Sequence, residues 1–194
     1  MTRNLGLSTQ DGDSLVCRMD VAAKEAAIDR FLDEYPRAID AGRGHPALQG
    51  CEDVRWSEFP ECPAGIPVLL RALLDREAAS EAERVLTNSL HNGITAINAA
   101  VPTALPFLLR LASDPQVPAR SGLRDLLVTI AGFSESIDAD DEVSVFWFGG
   151  DSEHPEREQC RAVFAGHAGV VAMLAEELAS PAQQAVLRKA AGLL

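Results

Sequence analysis

Two groups of residues in this chain could do chemistry or recognition. His91-Asn92, just ahead of Gly93, is the most suggestive polar pair, since an imidazole can move a proton and a carboxamide can hold a polar substrate. The two either line a groove or satisfy orphan carbonyls at a neighbouring helix end. The second group is Phe146-Trp147-Phe148, preceded by Asp140 and Asp141. Phe and Trp anchor interfaces, and the acids would form their charged rim. The competing reading folds the three rings back over the ends of helical hairpins. Trp56 either covers leucine faces at the end of a helical stack or stacks on a ligand.

Catalytic and metal signatures are missing. His45, His91, His154 and His167 lie on separate segments, and none forms a H-E-x-x-H pair. Asp138, Asp140 and Asp141 lack the glycine and the distal glutamate of a calcium loop. There is no G-x-S-x-G, Walker or dinucleotide-binding pattern. Lysine occurs only as Lys24 and Lys189, both expected on exposed helix faces, which narrows any amine nucleophile to two candidates. No catalytic residue, metal ligand or cofactor site is assigned.

The elements that must position these residues are legible as a repeat. Ile66-Pro67-Val68-Leu69-Leu70-Arg71 returns 39 residues later (105 − 66) as Leu105-Pro106-Phe107-Leu108-Leu109-Arg110. In each copy a proline just inside the start is expected to open a helix, with a second amphipathic helix following. Ser80 and Glu83 read as a capping box for the first of these second helices. Its counterpart starts near Pro118, and Gly93 and Gly132 are expected as C-terminal caps. A period near 40 residues built of two helices predicts an all-α chain, an α-α superhelix of the HEAT or armadillo type.

Around this unit, residues 1–19 read as a flexible N-terminal tail and 20–194 as the helical-repeat domain. Asp20 is expected to cap a helix running to about Tyr35, with Val21, Ile28, Phe31, Leu32 and Tyr35 on its inner face. An acidic insertion over about 134–154 interrupts the helices, and the alternation in Val143–Phe148 predicts an extended arm. A helix through Arg157–Phe164 and a last hairpin, its second helix opened by Ser180-Pro181, complete the chain. Leu193-Leu194 is expected either to be buried or to self-associate.

Composition narrows the partners. Seventeen Lys and Arg against 29 Asp and Glu leave a net charge of −12, which repels phosphate and anionic lipid, so nucleic acid and membrane are not expected partners. The same charge selects a basic protein. The Arg, Ala and Gly bias fits a G+C-rich bacterial genome. Four scattered cysteines without a C-x-x-C, no membrane-length apolar run and no signal-peptide segment predict a cytoplasmic chain with reduced thiols. A Cys51–Cys62 bond is the alternative.

Trp56, then His91-Asn92-Gly93, then Pro106-Phe107-Leu108, in that order, resembles HEAT-like repeat proteins of actinobacteria. In those a Trp precedes a hairpin, a His-Gln-Gly-type turn follows, and an Ala-rich stretch leads to a Pro-Phe-Leu helix start. This chain has Asn for Gln, and Glu61–Gly65 stands where an aromatic-Gly turn is expected. The resemblance covers roughly 54–133. It implies a repeat fold and, through relatives found beside toxin genes, an immunity role.

The expected function is therefore that of a helical-repeat protein docking a basic protein partner. The alternative is a small-molecule-binding protein or enzyme, with a pocket between the repeats and the 134–154 insertion. A homodimer is the third reading.

Overall fold

The computed structural model describes residues 20–93 and 96–194. The tail expected over 1–19, and Ile94 and Thr95, lie outside the described residues. Those residues form nine α-helices, four short 3-10 turns and no strand. The helices are α1 (Val21–Glu34), α2 (Ile66–Ala72), α3 (Ala79–Leu90), α4 (Val101–Ser113), α5 (Arg120–Phe133), α6 (Glu142–Phe148), α7 (Pro155–Gly166), α8 (Ala168–Glu176) and α9 (Pro181–Ala190).

Asp20 starts α1 by accepting from the Ala23 amide at 2.7 Å, and Pro36 follows its end. Three helix pairs form local hairpins: α2 with α3, α4 with α5, and α8 with α9. The second helices meet in succession, α3 on α5 and α5 on α9, while α1 lies against α3. At the centre is α4, whose Val101, Ala104, Leu105, Leu108, Leu109, Leu111 and Ala112 are fully buried. A helix apolar around most of its girth belongs in the middle of a helical layer. Accordingly, α4 also touches α7, α8 and the 3-10 turn Pro46–Leu48. Each buried Leu or Ile contributes roughly 1.5–3 kcal/mol before ordering entropy is subtracted.

Several local expectations give way to competing chemistry. Pro102, not Pro106, opens α4; Pro106 sits inside the helix, removing one intrahelical hydrogen bond. The two repeat copies thus agree in residues but not in where their helices begin. No Ser80–Glu83 box forms: α3 starts at Ala79, ahead of Ser80, with no side-chain cap, and Asp75 instead holds the preceding turn, its carboxylate accepting from the amides of Glu77 (2.8 Å) and Ala78 (3.1 Å). Gly132 lies within α5, and Gly93, at φ +86°, sits in the turn after α3 instead of capping it. Val21 is 43% exposed, whereas Lys24 is fully buried. Cys51 and Cys62 are buried free thiols, pushed by burial up to about 11 and about 12 respectively.

The extended arm expected over Val143–Phe148 is the helix α6. Asp141 caps it, accepting from the Ser144 amide at 3.2 Å and from the Ser144 hydroxyl at 2.7 Å. Gly149, at φ +69°, lets the chain leave the helix. These end contacts outweigh the β-preference of Val, Phe and Trp, which is a weak prior. No helix is long and apolar enough to cross a membrane among the described residues.

Candidate functional site

The sequence singles out eight residues, and the structure divides them into three places. Trp56 is internal: its indole N–H donates to the Cys51 carbonyl at 3.1 Å, and its ring lies 6.2 Å from Phe107 and 6.4 Å from Phe59. It closes the 3-10 turns of residues 46–58 onto α4 and presents no face to a ligand, being 2% exposed.

His91 and Asn92 point to different tasks. His91 Nδ1 lies 2.6 Å from the Thr87 carbonyl at the end of α3, and its ring meets Phe133 edge-on. The side chain of Asn92 turns inwards, its Oδ1 accepting from Lys24 Nζ at 2.9 Å and from Asn98 Nδ2 at 3.2 Å. Lys24 Nζ also donates to the Glu61 carbonyl, and Asn98 Nδ2 to the Pro60 carbonyl. This amide–ammonium cluster ties α1 and the 60–61 turn to the loop before α4. Buried polar groups need such partners, and the Lys24 ammonium most of all.

Asp140, Asp141, Phe146, Trp147 and Phe148 come together on α6 and the turn leading into it. Val143, Phe146 and Trp147, at i, i+3 and i+4, share one helix face and are 68%, 79% and 63% exposed. The Phe146 and Trp147 rings meet edge-to-face at 5.4 Å. α6 buries none of its residues. Asp138, Asp140, Asp141 and Glu142, all exposed, lead into its first turn. Residues 134–154 hold seven carboxylates and no Lys or Arg, so the aromatic face stands in a negative field.

What fixes α6 is a pair of arginines on α7. Arg157, 3% exposed, donates to the carbonyls of Phe148 and, at 3.0 Å, Gly149. A cation at these last carbonyls complements the helix end. Arg161 donates to the Ser134 carbonyl and, at 3.1 Å, to Asp151, which also accepts from the Ile137 amide at 3.2 Å. Burial pushes the Asp151 carboxyl up, but that amide and the Arg161 and Arg157 guanidiniums outweigh it and hold the group below the ordinary carboxylate range. Arg157 was visible in the sequence as the one basic residue between Phe133 and Glu158, the signal that it neutralises the acid around it.

No three His, Cys, Asp or Glu side chains group as metal ligands among the described residues. Residues 134–154 do not line the main cavities among the described residues. One of them, about 860 Å³, lies between the Gly42–Gln49 loop and α2, and none of the eight candidate site residues lines it. Compared with protein-family models, curated proteins and solved structures, the chain matches none of them.

Proposed function

We propose that this is a helical-repeat protein that docks a basic protein partner through α6. The observation that carries the reading is one face of Val143, Phe146 and Trp147 left exposed beside a run of exposed carboxylates. Large aromatic side chains held outside a core form interaction surfaces, and a partner with Lys or Arg around an apolar spot complements both features. The succession of α3, α5 and α9 supports a stacked-hairpin, HEAT-like architecture behind this helix. A partner that is a toxin, with this chain as its immunity protein, rests on the resemblance alone.

The test uses a photo-cross-linking residue placed at Val143 of the full chain. A basic protein is expected to cross-link to the wild type and to be lost in Phe146→Ser/Trp147→Ser. Its affinity, measured afterwards with the purified pair, falls as salt rises. Binding that ignores both the double substitution and the salt refutes the proposal. A cross-link to a second copy of this chain replaces it with self-association.

A further inference from the structure

We propose that the cleft between the Gly42–Gln49 loop and α2 binds a small organic anion, a carboxylate or phosphate monoester carried on an apolar body. Its volume, about 860 Å³, falls within the range of small-molecule sites. Guanidinium groups enter it from two sides, Arg71 from α2 and Arg43 from the loop, whereas the chain as a whole carries −12. Such a chain repels anions over most of its surface, and two guanidiniums facing one cleft, lined by the single carboxylate of Glu52, offset that repulsion locally.

Arg71 is the inner contact. Its side chain is 15% exposed, and one terminal nitrogen pairs with Glu52, whose own side chain is 65% exposed. The Arg71 Nε is buried without a hydrogen-bond partner among the described residues. A guanidinium offers five N–H groups in a planar fork suited to bidentate oxyanions, and one exposed carboxylate leaves that capacity largely unused. Arg43 is the outer contact. Its pair with Asp40 at 2.7 Å is fully in solvent, 73% and 69% exposed. An exposed pair of this kind holds weakly and exchanges readily for a ligand oxyanion. Ile39, Leu48 and Val68 supply the apolar wall for the ligand's body.

Two left-handed glycines shape the loop that walls the cleft. Gly42 takes φ +60°, and a Cβ there would stand 2.3 Å from Leu74 Cδ1, so any larger residue must both hold a left-handed backbone and push the Leu74 methyl aside. Gly44 takes φ +76° with open space around it. Between these two left-handed residues the chain turns Arg43 over the cleft mouth.

The test follows the amide resonances of Gly42 and Gly44 in the full chain during titration with 2-naphthoate, phenyl phosphate and the neutral control 2-naphthamide. At least one anion is expected to saturate these shifts at one equivalent, with the neutral amide weaker by roughly tenfold or more, the worth of one charge-assisted contact. The two anions separate carboxylate from phosphate preference. Arg71→Gln is expected to abolish binding and Arg43→Gln to weaken it several-fold. Arg43 is exposed, so it carries the test if Arg71→Gln fails to fold. No response to either anion, equal binding of 2-naphthamide, or unchanged affinity in both folded variants overturns the proposal. The cleft shares no residue with 134–154, so its failure leaves the docking reading untouched.

Discussion

Replacing Arg157 with Met should melt α6 and leave the core standing. Met keeps an apolar stem in the buried channel but removes the guanidinium that holds the carbonyls of Phe148 and Gly149. Hydrogen bonds from a charged donor contribute about 1.5–3 kcal/mol each. Water replaces part of this at a surface helix end, leaving a local loss of about 2–4 kcal/mol. A helix of seven residues has no reserve against that, being far below the roughly 12–15 residues at which isolated helices become marginal. Hydrogen exchange is the assay, read at the Val145 amide, bonded to the Asp141 carbonyl, and the Gly149 amide, bonded to that of Val145. Protection there should fall by roughly 30- to 700-fold, the equivalent of that loss at 1.4 kcal/mol per decade. Amides within α4 and α5 should keep theirs, since no side chain of α6 enters the core. Unchanged protection at Val145 and Gly149 would refute the pinning argument. Equal loss through α4 and α5 would also refute it, by making Arg157 part of the global fold.

Three further outcomes follow from the same geometry. In Trp56→Phe, which leaves Trp147 as the only indole, caesium should quench emission better than iodide, because the carboxylates before α6 attract cations; added salt should erase the difference. On acidification α6 should loosen before the core does. The Asp151 carboxyl is depressed in the folded chain, so its contribution is complete above the unfolded value near 3.9 and disappears as pH falls through the folded one. Trp147 emission followed from about pH 6 down to about pH 2 checks this, and loosening that sets in on the alkaline side instead would contradict it. Finally, Gly42→Ala should lower the urea-derived stability by roughly 2–4 kcal/mol and Gly44→Ala by about 1 kcal/mol. Both lose the left-handed conformation, but only the first drives a methyl into Leu74.

The helices themselves were written plainly in the chain. Apolar spacing, the Asp20 and Ser180 caps and the prolines at 67 and 181 placed α1, α2 and α9, because each signal acts within one turn of the residue that sends it. The differences lie where a neighbouring turn intervenes: the turn held by Asp75 runs into α3 ahead of Ser80, and α4 gains a turn at Pro102 ahead of the repeated Pro106. Lys24 reads as solvated because a lysine between Ala23 and Glu25 gives no hint of a carboxamide arriving from Asn92, 68 residues away. Of the two readings the aromatic-acidic stretch allowed, the structure leaves the rings exposed instead of folded over the hairpins, and it makes the stretch a helix the sequence did not predict. The cleft went unseen because Arg71 and Arg43 belong to segments that only tertiary packing joins.

The arrangement at α6 reverses the usual placement of residues, and that reversal needs an account. Arg157, a residue type that normally stays in water, is buried, while Phe146 and Trp147 are left outside. Each exposed ring forgoes roughly 1.5–3 kcal/mol of burial, and the buried guanidinium adds its own desolvation. Nothing comparable supports the exposure of Met173, which is ordinary for a globular surface, or of Leu193 and Leu194, which are exposed and so do not meet the burial expected as one of their two readings. A chain that only needed to close the gap between α5 and α7 could do so with a short polar turn. Here it builds a capped helix, fixes its end with a buried cation and turns the rings outwards. On the proposed docking role, the energy withheld from folding is recovered when a partner covers that face, and the surrounding carboxylates favour one that is basic.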